Sequence, residues 1–278
     1  YVASVHLLKA NFSWTDVQSR RIDGGNMNMT AEKEAEYLFD KNVECPVCDS
    51  TFRTRVVKTG RVRRLESDFD LRPRHPDVDT IKYDVVSCPY CGYTALNRFF
   101  TDLTRGQKML IREGVCSKFH PAENGDEEKK ITPYSYDKAI DRYKLAFYNA
   151  LVKKGRASEK AYTCLKISWL YRGQIEQLEA EQRADLAEKI QTCRQQENAY
   201  YKQAYEGFID AIASENFPIC GMDEHTVNYL VASMAYKLGH MDVASKLVSA
   251  ILVSRTAGRT VKDRAYDLKE QIIEKLHE

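Results

Sequence analysis

Two cysteine pairs constrain this chain more than any other feature. Cys45-Pro46-Val47-Cys48 and Cys88-Pro89-Tyr90-Cys91 each place two thiols two residues apart. A tight turn across such a pair can direct both sulfurs at one cation. Four sulfurs from two pairs make the closed tetrahedral site typical of structural zinc. Cys45, Cys48, Cys88 and Cys91 are therefore the expected metal ligands, with zinc as the structural cofactor. His75 and His120 are substitute ligands that four cysteines make unnecessary. A catalytic zinc would keep one position open, and four thiolates leave none.

The stretch between the pairs is strand-like. Residues 51–57 alternate and are β-branched, residues 58–61 suggest a turn, and residues 62–65 suggest a returning strand. Pro73 and Pro76 interrupt regular structure in 67–78, and 80–87 alternates again. Upstream, residues 30–41 suggest a short helix, with Glu32, Glu34 and Glu36 near its positive end. Gly92 follows the second pair and permits the turn that aims amides at sulfur. Three short strands give little core, and a metal supplies the stability they lack.

From Leu96 onward the apolar spacing becomes helical. A helix is expected over 101–116, then a linker through Pro121, Asn124-Gly125 and the charged run 126–130. Residues 136–153 carry Ala139, Ile140, Tyr143, Ala146, Phe147 and Ala150 on one face. Further helices are expected over 157–171, 174–212 (one helix or two), 224–238, 241–254 and 261–276. Within 228–251, small Ala232 and Ala244, the turn at Gly239, and apolar Val248 and Ile251 resemble a tetratricopeptide repeat. Asn228 replaces the usual aromatic, and the terminal proline is missing. Stacked hairpins of this kind share a core and leave a groove. Tyr200, Tyr201, Tyr205 and Tyr236 are candidates to line it for a protein or peptide partner. Packing between helices is the plainer use of such aromatics.

The expected fold is α+β and mostly α: a small zinc-ribbon-like β module followed by an α-helical tetratricopeptide-like array. Residues 1–29 are expected to be a leader, disordered or not native to the protein. Residues 30–118 form the module with flanking helices, 119–132 the linker and 133–278 the helical domain.

At 43% hydrophobic and 29% charged residues, the chain has the composition of a globular protein. A formal net charge of +2 creates no global field for nucleic acid or membrane, so any basic contact surface is local. No apolar run reaches the roughly 20 residues of a membrane span, and no membrane partner is expected. Cys116, Cys164, Cys193 and Cys220 are scattered singly, as ordinary thiols of a reducing cytoplasm. One local basic set exists: Arg53, Arg55, Lys58, Arg61, Arg63 and Arg64. With Phe52 and nearby tyrosines it offers phosphate contacts and a base-stacking face. The alternative is a solvated face paired with the surrounding acids. Asp70, Arg72, Arg74 and His75 crowd one loop as a further polar group.

The chain has no Gly-rich phosphate loop, Gly-x-Ser-x-Gly or His-Glu-x-x-His sequence. Three functions follow. The first is a non-enzymatic interaction scaffold, the second an RNA or single-stranded nucleic-acid binder using 53–64. The third is a thiol redox protein or zinc redox sensor, because Cys88-Pro89-Tyr90-Cys91 alone looks like a dithiol motif.

Taken together, residues 37–41, Cys45-Pro46-Val47-Cys48, Ser67-Asp68-Phe69, Tyr83-Asp84-Val85, Cys88-Pro89-Tyr90-Cys91-Gly92-Tyr93 and Trp169-Leu170-Tyr171-Arg172 resemble a bacterial family, the domain of unknown function 2225 family. Asp49 stands where that family often has Gly. The resemblance implies a cytosolic bacterial protein and no assigned activity.

Overall fold

The computed structural model describes residues 29–121 and 131–277. The expected leader lies outside them, apart from Met29, as does most of the expected linker. Helix α1 (Met29–Glu36) leads into strand β1 (Leu38–Glu44), which pairs antiparallel with β2 (Thr51–Val57) from Leu38↔Val57 to Glu44↔Thr51. The second hairpin pairs β3 (Val85–Ser87) with β4 (Thr94–Leu96). Each cysteine pair is the turn of one hairpin.

This pairing differs from the expected one. The partner of β2 is 38–44, largely read from sequence as helix, and 62–65 forms no strand. A knuckle turn reverses the chain at Cys45, so the flanking segments meet directly. Residues 62–79 are then free to leave the sheet. The expected strand over 80–87 is half a 3₁₀ turn. Asp79 caps Thr80–Tyr83 by accepting from the Ile81 amide, and Ile81, Lys82 and Tyr83 are all buried. Burial on every side has no period of two to preserve.

Helix α2 (Arg105–Gly114) opens with a capping box. The Gln107 amide donates to Thr104 Oγ1 and the Thr104 amide donates back to Gln107 Oε1. Six longer helices follow: α3 (Tyr136–Val152), α4 (Ala157–Ala180), α5 (Ala187–Ser214), α6 (Glu224–Leu238), α7 (Met241–Val253) and α8 (Arg259–His277). The proline-free stretch 174–212 is therefore divided between α4 and α5, with a turn near Gln182. Helices α4 and α5 approach closely. A Cβ added at Gly207 would sit 2.9 Å from Ala161 Cβ.

Helix α6 ends at Gly239 in the left-handed region, φ 86°, where the His240 amide donates to the Ala235 carbonyl at 2.8 Å. Helix α7 returns along it. Ala232, Ala235, Ala244 and Val248 share one cluster with Leu268 and Ile272 of α8. Small residues at the crossing allow the backbones to approach.

The main core takes residues from both sides of 119–132. Ile81, Val85 and Leu96 of the hairpin region lie in one cluster with Ile140, Tyr143 and Leu165. Tyr143 donates its buried hydroxyl to the Ile81 carbonyl at 2.7 Å. A second cluster surrounds the knuckles, with Phe52, Tyr93, Phe100, Ile111 and Val115 packed against Cys45, Cys88 and Cys91.

Candidate metal centre and the surfaces around it

The two knuckles are built alike. The Cys45 amide donates to the Ser50 carbonyl at 3.0 Å and the Asp49 amide to the Cys45 carbonyl at 2.9 Å. In the second, the Cys88 amide donates to Tyr93 at 2.8 Å and the Gly92 amide to Cys88 at 3.1 Å. Both turns need a left-handed residue at the same place, Asp49 at φ 58° and Gly92 at φ 75°. Asp tolerates that region better than most residues. At Gly92 a side chain has no room, because its Cβ would meet the Phe119 ring at 2.5 Å.

The turns bring four sulfurs together. Cys45 Sγ lies 3.6 Å from Cys91 Sγ, and Cys48 Sγ lies 3.6 Å from Cys88 Sγ. All four are within 4.8 Å of one another and could hold a metal ion. With zinc–sulfur bonds of about 2.3 Å, the edges of a regular tetrahedron are about 3.8 Å, so the spacing fits. It is far from the about 2.0 Å of a disulfide, and all eight cysteines are free.

Backbone amides complete the cradle. Val47 and Cys48 direct theirs to Cys45, Tyr90 and Cys91 direct theirs to Cys88, and Tyr93 directs its own to Cys91. Such donors stabilise negative sulfur. Hydrogen bonds from Cys88 and Cys91 bring the Cys45 thiol down to about 2 despite burial. The same sharing pushes Cys88 up to about 12 and raises Cys91. One thiolate is held by neighbouring protons that a cation would displace. Arg112 of α2 anchors the first knuckle, donating from Nη2 to the Val47 carbonyl at 2.8 Å. Tyr93 stacks on Phe100 at 5.0 Å and donates to its carbonyl at 3.1 Å. Neither His75, which pairs through Nδ1 with the Arg63 carbonyl, nor His120 joins the sulfurs.

Sequence reasoning missed Cys116. It sits in the 3₁₀ turn after α2, half-buried and packed against the cluster that holds Cys45, Cys88 and Cys91. No spacing rule connects it to the pairs. Only the fold of α2 over the knuckles places it there.

The basic set divides. Arg55 is buried and pairs with Asp40 at 3.2 Å, while its Nη1 donates to the Thr132 carbonyl. Lys58 donates to the Glu36 carbonyl at 2.8 Å. Arg53, Arg61, Arg63 and Arg64 are exposed, and no carboxylate is within ion-pair distance of them among the described residues.

The four tyrosines also divide. Tyr200 is buried against Tyr171, and Tyr201 is buried beneath Arg172 and Lys237. Tyr236 is half-buried under Phe69, with ring centres 5.7 Å apart. The chain's own segment 67–72 therefore lies where a peptide was expected. Arg264 donates to Ser67 Oγ at 2.7 Å, Tyr229 to the Phe69 carbonyl at 3.0 Å, and Arg172 to Asp70. Arg72 and Arg74, grouped in sequence as a polar loop, close on Glu176 of α4 at 3.1 and 2.7 Å. An open cleft of about 450 Å³ remains at Tyr205, lined also by Glu206, Ile209, Asp210 and Val243.

The profile of one bacterial family, described as "Uncharacterized protein conserved in bacteria (DUF2225)", matches residues 38–272. This chain is a DUF2225 protein. The match runs from β1 into α8, so hairpins and helices belong to one family unit. No curated protein and no solved structure matches the DUF2225 chain. Among the described residues, no helix is long and apolar enough to cross a membrane.

Proposed function

We propose that this DUF2225 protein is a non-catalytic, cytoplasmic interaction scaffold stapled by one structural zinc ion. Cys45, Cys48, Cys88 and Cys91 hold the ion, and it supplies the charge that fixes four thiolates at one point. The observation that carries the reading is the convergence of the four sulfurs, all within 4.8 Å of one another, inside an amide cradle. A closed thiolate shell leaves no site for substrate, which favours structure over catalysis. The tetratricopeptide-like helices present the partner surface. The open cleft at Tyr205, lined by Ile209 and Val243 together with Glu206 and Asp210, suits a protein segment better than the filled region under Phe69. Metal analysis of protein purified without added metal, with thiols counted alongside, tests the metal. One zinc per chain with four thiols masked until chelation supports it. Metal-free protein with those thiols reactive refutes it.

Four exposed arginines with no carboxylate at ion-pair distance among the described residues favour a second reading, an RNA or single-stranded nucleic-acid contact through Arg53, Arg61, Arg63 and Arg64. Reversing Arg61, Arg63 and Arg64 to Glu should abolish salt-sensitive binding to a single-stranded oligonucleotide. Unchanged binding rejects that contact.

A further inference from the structure

The cleft at Tyr205 opens where α5 and α7 face each other across the end of α6. Helix α5 packs on α6 and α6 on α7. His240, in the turn that joins α6 to α7, stacks on the Tyr205 ring at 5.3 Å. From α5 come two rows one helical turn apart, Tyr205 with Ile209 and Glu206 with Asp210, and α7 supplies Val243. The apolar row is left to water, with Ile209 40% exposed.

Fixed charge at this cleft has one sign. Burial first, and the charge of Asp242 second, push the Tyr205 hydroxyl up, so Asp242 acts on the same cleft. Glu206, Asp210 and Asp242 have no cation within ion-pair distance among the described residues, although Lys202 and Lys246 stand one turn away on the same helices. Asp210 also stands one turn before the C-terminal end of α5, and the last turn of that helix holds no basic residue. A helix favours cations at that end. Carboxylates and helix end therefore call for positive charge beside an uncovered aliphatic side chain. The same carboxylates repel phosphate, which turns nucleic acid away from this face.

We propose that the cleft binds a basic segment of a partner protein, seating an aliphatic side chain between Ile209 and Val243 with Lys or Arg against Glu206, Asp210 and Asp242. The inference rests on the scaffold reading for the existence of a partner and adds the partner's chemistry. The apolar contact supplies affinity, and the carboxylates supply discrimination, because an acidic segment would meet three like charges.

The test uses the full chain, as purified, and two labelled synthetic peptides of one pattern. One is built from Lys and Leu, the other from Glu and Leu, and binding is followed by fluorescence anisotropy. The Lys/Leu peptide should bind at least roughly tenfold more tightly and should weaken as salt is added. Glu206→Lys combined with Asp210→Lys should weaken it roughly tenfold, and Ile209→Asp should remove the apolar contact and the binding with it. These side chains are partly or fully exposed, and thermal unfolding checks that each variant folds. Glu270→Lys combined with Glu274→Lys, on the exposed face of α8, is the charge control and should bind as the wild type does. Equal binding of the two peptides, with both lost in Ile209→Asp, overturns the basic partner and leaves the cleft a peptide site. Binding of neither peptide, or a loss in the control as large as in the cleft variant, overturns the inference and removes the cleft from the scaffold reading.

Discussion

Arg172 grips Asp70 with both terminal nitrogens, at 3.1 and 2.8 Å, across 102 residues of sequence. Asp70 belongs to the irregular segment leaving the first hairpin, and Arg172 to the middle of α4. Asp70 is 2% exposed, so its carboxylate is closed off from water. Glu197 of α5 accepts from Arg172 Nε at 2.9 Å and from Lys237 of α6 at 2.8 Å. One network thus ties the segment between the knuckles to three helices. Removing one member of a buried pair leaves a charge without a partner, which costs about 3–5 kcal/mol. Arg172→Ala, which strips Asp70, should lower stability by that order in denaturant unfolding, and Asp70→Ala by less, because Arg172 keeps Glu197. The double variant should lose clearly less than the sum.

The same network predicts an acid dependence. Burial alone would raise the Asp70 carboxyl, but hydrogen bonding and charge from Arg172 outweigh it and hold it below its ordinary value. Glu176 is likewise held down against burial by Arg74 and Arg72. Their contributions are complete above the ordinary carboxylate range of about 4 and disappear as pH falls through the depressed folded values. Thermal unfolding followed downward from about pH 5 should therefore show a steep loss in the wild type and a shallower one in Asp70→Asn.

The knuckles predict an asymmetry between two equivalent turn positions. Gly92→Ala forces a side chain into the left-handed region and against Phe119, at a cost of about 1–3 kcal/mol. Asp49→Gly relieves left-handed strain while loosening the unfolded chain, so stability should move by less than about 1 kcal/mol. Calorimetry of the two zinc-loaded variants checks the contrast.

Metal loading should be proton-linked. Hydrogen-bond sharing with Cys45 raises Cys88, and contacts with Cys116, Cys45 and Cys88 raise Cys91, so both carry protons that a cation must displace. At least two protons should be released per ion. Zinc affinity should then fall by about a hundredfold or more per pH unit on acidification below neutrality. Competition against a chelator of known affinity at several pH values measures the slope.

The sequence announced the sulfurs because paired cysteines at fixed spacing have few uses. It announced most helices because a 3.6-residue period survives over many consecutive positions, as in the 17 residues of α3 and the 13 of α7. The hairpins were harder to read. The partner of β2 is decided by the turn that the knuckle imposes, and 38–44 carries no alternation of its own. The segment 67–74 looked like surface loop, since Asp68, Asp70, Arg72 and Arg74 are charged. Their partners Glu176 and Arg172 lie on a distant helix, α4, and only the tertiary fold pairs them. Cys116 was invisible for the same reason.

The central claim is a cation held by sulfur from both hairpin turns. X-ray absorption at the zinc edge of protein purified without added metal tests it most directly. The account predicts one zinc per chain with four sulfur neighbours at about 2.3 Å. A first shell containing nitrogen or oxygen, or no bound metal with the four thiols free to react, would contradict it.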